Sequence, residues 1–216
     1  MLDRRTFLAA SAGAAAAAAF LPLPFAAAQS KVPQGAPEGF FGERPLPEME
    51  QGSPDAPVVL TEYASVTCGH CKAFHDQTLP ALQQYIDDGK LRYQLREFAY
   101  DPLAAAGFML ARCAPNGSRG YFGIVDILFD NQSKWTRADN PAQALFDLTR
   151  VAGFDQESFN KCLTDQKLLD QIRAVQREGE KFGVTGTPTL FVNGEKLEGG
   201  YGLANVKKAI DAKLGS

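Results

Sequence analysis

The hydrophobic period of this chain changes twice, and that narrows the folds open to it more than any other feature. Residues 57–64 form a short apolar run of the kind a buried strand needs. Residues 91–98 alternate apolar and polar, as a half-buried strand does. Between them Phe74, Leu79, Leu82, Tyr85 and Ile86 recur at near-helical spacing up to Asp88-Gly89, with Pro80 predicting a kink. From residue 102 to 182 the pattern is helical throughout. Segments fall at 103–113, 119–130, 141–151, 156–164 and 166–181, with breaks near Pro115-Asn116-Gly117, Asn140-Pro141 and Gly153. The strand period then returns in Thr189-Leu190-Phe191-Val192. An Asn193-Gly194 turn and a second short run predict a hairpin. A last helix is expected over 203–214. The order predicts an α/β protein whose central mixed sheet is flanked by helices, with a helical domain inserted at 102–182 between the halves 46–101 and 183–216.

The chain has 216 residues, 45% of them hydrophobic, enough for a core that needs no staples. Its 22 Lys and Arg against 25 Asp and Glu leave a net charge of −3, with no basic run to suggest nucleic acid. Residues 1–28 read as a secretory leader. Arg4-Arg5 precedes an alanine-rich apolar stretch, and Ala26-Ala27-Ala28 offers a small-residue cleavage site. Arg4-Arg5-Thr6-Phe7-Leu8 resembles a twin-arginine signal, with the ordinary Sec route the alternative. The expected location is therefore the bacterial periplasm, an oxidising space in which disulfides persist. Residues 29–45, rich in Pro and Gly, read as an irregular lead-in too short for an oligomerisation domain.

Cys68-Gly69-His70-Cys71 stands between the first strand and the helix after it. Thiol–disulfide exchange needs a thiolate that attacks one sulfur of a disulfide, and a second thiol near enough to resolve the mixed disulfide. A cysteine at a helix N-terminus meets unpaired N–H groups and the positive end of the helix dipole, which favour the thiolate. Cys68 is thus the expected nucleophile. Cys71, one turn inside, is the expected resolving thiol. The His70 imidazole between them would lower the Cys68 pKa by hydrogen bonding or by charge. Cysteines in such motifs run from about 7 to about 3.5.

The chain resembles the DsbA family of thioredoxin-fold proteins over roughly residues 46–215. The resemblance rests on Glu62-Tyr63-Ala64-Ser65-Val66-Thr67 leading into Cys68-Gly69-His70-Cys71, on the helical insertion, on Val184-Thr185-Gly186-Thr187-Pro188-Thr189 before a hairpin, and on the terminal helix. It departs from the best-known members in having Gly69-His70 where they have Pro-His. The resemblance implies a cis bond between Thr187 and Pro188, beside Cys68, with a backbone free to pair with an extended substrate. It also places a carboxylate, Glu62, beneath the motif to relay a proton to or from Cys71. His75, one turn past Cys71, reads as structural or solvated. Four cysteines permit three connectivities. With Cys68 and Cys71 taken, Cys113–Cys162 is the economical second bridge, and two separate thiols are the alternative. A bridge there closes about 50 residues and contributes roughly 4 kcal/mol.

Together the motif, the leader and the resemblance imply an oxidase for exported unfolded or partly folded proteins. It is expected to be monomeric, to need no cofactor beyond the Cys68–Cys71 disulfide, and to be re-oxidised by a membrane partner. An isomerase or reductase of the same fold is the near alternative, mildly favoured by Thr187 before the proline. A soft-metal carrier using Cys68, Cys71, His70 and His75 is the distant one.

Overall fold

A computed structural model describes residue 33 and residues 35–215. The leader and the start of the lead-in lie outside the described residues. Five strands form one sheet in the order β1-β3-β2-β4-β5. They are β1 (Met49–Gln51), β2 (Val58–Ala64), β3 (Leu91–Glu97), β4 (Thr189–Val192) and β5 (Glu195–Lys196). β2 runs parallel to β3 and antiparallel to β4, and β1 and β5 close the edges antiparallel. The sheet is therefore mixed, as the sequence predicts.

A parallel pair needs a crossover connection. Here it starts as α1 (Gly69–Ala73), passes through a π turn at Phe74–Thr78 and a 3₁₀ turn at Pro80–Leu82, and ends as α2 (Gln83–Asp87). Proline lacks an N–H and cannot continue the α-helical ladder. The disturbance expected at Pro80 takes this two-step form, and the Leu79 N–H bonds back five residues to the Phe74 carbonyl.

Six helices lie between β3 and β4: α3 (Pro102–Cys113), α4 (Ser118–Asp130), α5 (Gln132–Thr136), α6 (Pro141–Thr149), α7 (Gln156–Leu163) and α8 (Gln166–Lys181). Their starts follow capping chemistry. Asp101, Asn140, Asp155 and Asp165 each accept a backbone N–H of the first turn. Pro102 and Pro141 occupy first helical positions, where no N–H is missed. After β5, α9 (Leu203–Leu214) packs Val206 and Ile210 into the core. The β4–β5 turn uses Asn193 and Gly194 at φ 52° and 83°, the left-handed pair that such a hairpin requires. At Gly179 a Cβ would meet the Tyr63 ring at 2.6 Å, so only glycine lets α8 approach the sheet this closely.

β2 is buried along its whole length. Its odd and even residues serve opposite faces. Tyr63 joins Phe40, Phe98, Val184 and Phe191 in one apolar cluster, while Val58 and Leu60 enter the main core. Three features have no signal in the sequence pattern. β1 and α5 are short elements with too few residues to show a period. The lead-in supplies Phe40, fully buried, whose ring lies 4.8 Å from that of Phe191.

Cys113 at the end of α3 is bonded to Cys162 in α7. With 49 residues of separation, the double variant Cys113→Ala/Cys162→Ala is expected to lose about 2–4 kcal/mol. Urea unfolding of the two proteins, with the same redox state at Cys68 and Cys71, checks this.

Candidate active site

The site forms where β2 ends and α1 begins. Cys68 is the N-cap of α1, in extended conformation at φ −81° and ψ 120°. That leaves the first N–H groups of the helix unpaired and aimed at its sulfur. Both Cys68 and Cys71 are free thiols. Cys68 keeps 9% of its surface open, and Cys71 is wholly buried. The loop before the helix is held from the helical block. Gln132 of α5 donates to the carbonyls of Val66 and Cys68 at 2.9 and 3.0 Å. Thr67 donates to Asp101, the cap of α3, at 2.5 Å.

The Thr187–Pro188 peptide bond is cis. It brings Thr187 to Cys68 across 119 residues of sequence, where the Cys68 thiol donates to the Thr187 carbonyl at 3.2 Å. Burial alone would raise the Cys68 pKa. A hydrogen bond from the Cys71 thiol outweighs it, aided by the Thr187 side chain and the backbone N–H groups of Cys71 and His70. Together they bring it from 9.0 to about 5. Cys71 moves the other way, pushed far above the ordinary thiol range. Burial is the main cause, followed by the bond it donates to Cys68 and the negative charge of Glu62. One thiol is thus poised as a thiolate while its neighbour holds its proton.

His70 is exposed, and its ring reaches away from the thiols. Its Nδ1 lies 2.7 Å from the Tyr201 hydroxyl, in the loop before α9. The expected ring contact with Cys68 is not made. The helix carries the ring outward, so His70 acts on the thiolate through its backbone N–H. Gly69 is exposed, and a Cβ there would meet nothing within 4 Å.

Glu62 is completely buried on the sheet face beneath the motif. Its Oε2 accepts from the Tyr93 hydroxyl and, at 3.0 Å, from His75 Nε2. His75 is accordingly not solvated, with only 6% of its side chain exposed. Tyr93, Gln132, Thr67, Asp101 and Tyr201 are the site residues that sequence reasoning misses, and His75, which it names, is structural in being bonded to Glu62. The strand period alone puts Tyr93 on the face of Glu62, since Leu60, two residues before Glu62, pairs directly with Tyr93.

The metal-carrier set does not assemble. His70 pairs with Tyr201 and His75 with Glu62. Among the described residues, no three His, Cys, Asp or Glu side chains converge as metal ligands. Nor, among them, is any helix long and apolar enough to cross a membrane.

Comparison with known proteins agrees with this architecture. The family model described as Thioredoxin matches residues 46–212. A relative in Rickettsia bellii that carries the name of a protein-disulfide oxidoreductase is 34% identical over 172 residues, 77% of this chain and 64% of the relative. The chain thus spans somewhat under two thirds of the length of the curated relatives it first matches. Wolbachia pipientis alpha-DsbA1 is 31% identical, with a TM-score of 0.72, over 80% of this chain and 94% of that one. A protein-disulfide isomerase of Novosphingobium aromaticivorans is 23% identical, with a TM-score of 0.70, over 79% of this chain and 100% of that one; this likeness is one of fold.

Proposed function

The chain belongs to the thioredoxin family, in its DsbA-like branch, and from that premise we propose that it is a periplasmic oxidase that introduces disulfides into exported proteins through Cys68 and Cys71. The observation that carries this reading is the placement of Cys68 as the N-cap of α1, its sulfur 3.2 Å from the Thr187 carbonyl before the cis proline, with Cys71 buried one turn behind it. In the disulfide form, a substrate thiolate attacks Cys68, the more accessible sulfur. The Cys68–Cys71 bond breaks, its electron pair goes to Cys71, and Cys71 takes up a proton. A second substrate thiolate then attacks the substrate's own sulfur in the mixed disulfide. Cys68 leaves as a thiolate, and a low-pKa thiolate is a good leaving group. The substrate departs oxidised and the enzyme reduced. Its two electrons pass to a membrane redox partner that restores the disulfide.

Energetics support that direction. A fall in pKa from 9.0 to about 5 corresponds to about 5 kcal/mol at 1.36 per unit. Cys68 opens to water, whose screening reduces that to on the order of 2–3 kcal/mol. This stabilises the reduced thiolate over the disulfide and makes the disulfide oxidising. The Thr187 backbone beside Cys68 suits strand-like pairing with substrates of many sequences. Export rests on the Arg4-Arg5 leader at 1–28, and the oxidising compartment fits the Cys113–Cys162 bridge.

The test is the equilibrium of the Cys68–Cys71 pair with glutathione. A potential toward about −120 mV is expected for the oxidase, and one near about −270 mV would move the protein to the reductase side. Thr187 at the thiolate keeps isomerase or reductase activity as the second reading; the same titration separates the reductase, and re-pairing of a scrambled-disulfide substrate separates the isomerase.

A further inference from the structure

Cys71 must gain a proton when it leaves and lose one when it attacks, yet it has no exposed surface. Its neighbour Glu62 has none either, and Glu62 Oε1 is buried with no hydrogen-bond partner among the described residues. A buried carboxylate cannot trade protons with water directly, so a connection to the surface is needed. Among the described residues, two side chains hydrogen-bond to Glu62. Tyr93 is fully buried and sealed from solvent. Burial first, then the Glu62 charge, keeps its phenol protonated, so it serves as a fixed donor.

His75 differs. Its Nε2 lies 3.0 Å from Glu62 Oε2 and 3.2 Å from the Tyr93 hydroxyl. Its ring rests on Phe129 of α4, with centroids 4.3 Å apart. It also lines an open cavity of about 760 Å³ whose wall carries Asp76, Asp126 and Asp130. Asp126 lies close enough for its charge and that of His75 to act on each other. The π turn at Phe74–Thr78 includes His75, and such turns occur frequently at functional sites. Imidazole both accepts and donates a proton near neutral pH, which suits it to a relay.

We infer that the relay the family resemblance implies for Glu62 runs on through His75, and that the cavity lined by Asp126 is its port to water. His75 is thereby a positioning residue that acts on Cys71 through Glu62. When the Cys68–Cys71 bond breaks, a proton passes from His75 by way of the Glu62 carboxylate to the Cys71 thiolate, which leaves Glu62 a carboxylate as before. His75 is then reprotonated from the cavity. In the reverse direction Cys71 attacks the mixed disulfide at Cys68, and its proton leaves by the same path. The groups facing His75 are Glu62 from β2, Tyr93 from β3, Asp126 and the Phe129 ring from α4, with Asp76 on its own turn and Asp130 across the cavity.

The inference rests on the proposed exchange chemistry, so the experiment keeps the two apart. The reduced protein is mixed with glutathione disulfide, and its two steps are timed: attack by Cys68, then release of the second glutathione by Cys71. Wild type is compared with His75→Gln, which still donates to Glu62 but relays no proton, and with His75→Ala. The first step should stay within about twofold of wild type, because the thiolate of Cys68 does not depend on His75. The second should slow at least about tenfold in both variants and lose one group from its pH profile. Added imidazole, small enough for the cavity, should restore it in His75→Ala. A wild-type second step in His75→Gln overturns the inference, and so does His75→Ala that imidazole does not rescue. A wild type that forms no mixed disulfide overturns the exchange chemistry itself, and the relay with it.

Discussion

Cys68→Ser is expected to abolish thiol–disulfide exchange down to the uncatalysed background. Serine offers no sulfur to enter a disulfide, and its hydroxyl stays protonated where Cys68 is ionised. With a pKa of about 5, Cys68 is about 99% thiolate at about pH 7, against about 1% for a thiol at 9.0, a hundredfold difference in the reactive form. Lower basicity takes back part of that gain when Cys68 attacks and adds to the rate when it leaves. Cys71→Ser should behave differently, because Cys68 can still form the mixed disulfide while nothing within the protein resolves it. Trapping of that adduct with a thiol-containing peptide, read by mass, distinguishes the two variants. Equal residual turnover in Cys68→Ser and Cys71→Ser would contradict their unequal roles.

The second large effect is on stability. Arg96 of β3 is buried to 1% exposure and donates to Glu48 at 2.6 Å, to the Phe40 carbonyl at 2.9 Å and to the Tyr63 hydroxyl at 3.1 Å. Its guanidinium sits 4.5 Å over the Phe40 ring. Burial alone would lower its pKa, but the Glu48 carboxylate and Tyr63 hold it up and keep it charged. Arg96→Ala leaves these acceptors without their shared donor and releases the lead-in from the sheet, so it should cost about 3–5 kcal/mol. Arg96→Lys should recover only part, because a single ammonium cannot reach three acceptors in the geometry of a planar fork. Urea denaturation measures both. A loss under about 1 kcal/mol in Arg96→Ala would show that the lead-in is not held by this residue.

The thioredoxin-like plan is legible in the sequence because long periodic segments carry it. Five helical segments of the insertion, the apolar run of β2 and the Asn193-Gly194 hairpin all announce themselves locally. What escapes is short or distant. Met49-Glu50-Gln51 has no apolar alternation and is a strand only because β3 offers it an edge. α5 has five residues and is anchored by Trp135, whose indole donates to the Leu128 carbonyl. Phe40 reads as one aromatic in a Pro- and Gly-rich stretch until Phe191 and Arg96 meet it.

The site divides the same way. Cys68 and Cys71 are legible from spacing, because one helical turn sets their separation. Thr187 reaches Cys68 from 119 residues away, and only the family resemblance places it there. His70 reads as a partner of the thiolate because it is adjacent in sequence. The helix instead carries its ring outward to Tyr201, 131 residues on, a contact that no local pattern encodes. His75 is hard to value from sequence for a related reason. Helical spacing places it near Cys71, but the buried Glu62 and Tyr93 that engage its ring come from two strands.

The central claim is that Cys68 is a stabilised thiolate beside a Cys71 that keeps its proton. It has a pH signature. The folded pKa of Cys68 lies below its unfolded value, so the thiolate's contribution to the reduced protein is fully present above about 9 and is lost as pH falls through about 5. The difference in unfolding free energy between reduced and oxidised protein should follow that window. The most direct measurement is the ultraviolet absorbance of thiolate in the reduced protein as pH is raised, with Cys68→Ser and Cys71→Ser as references. One thiol titrating near 5, absent from Cys68→Ser, with no second thiolate through the neutral range, is the predicted result. A Cys68 that stays protonated up to about 8 or beyond would contradict it.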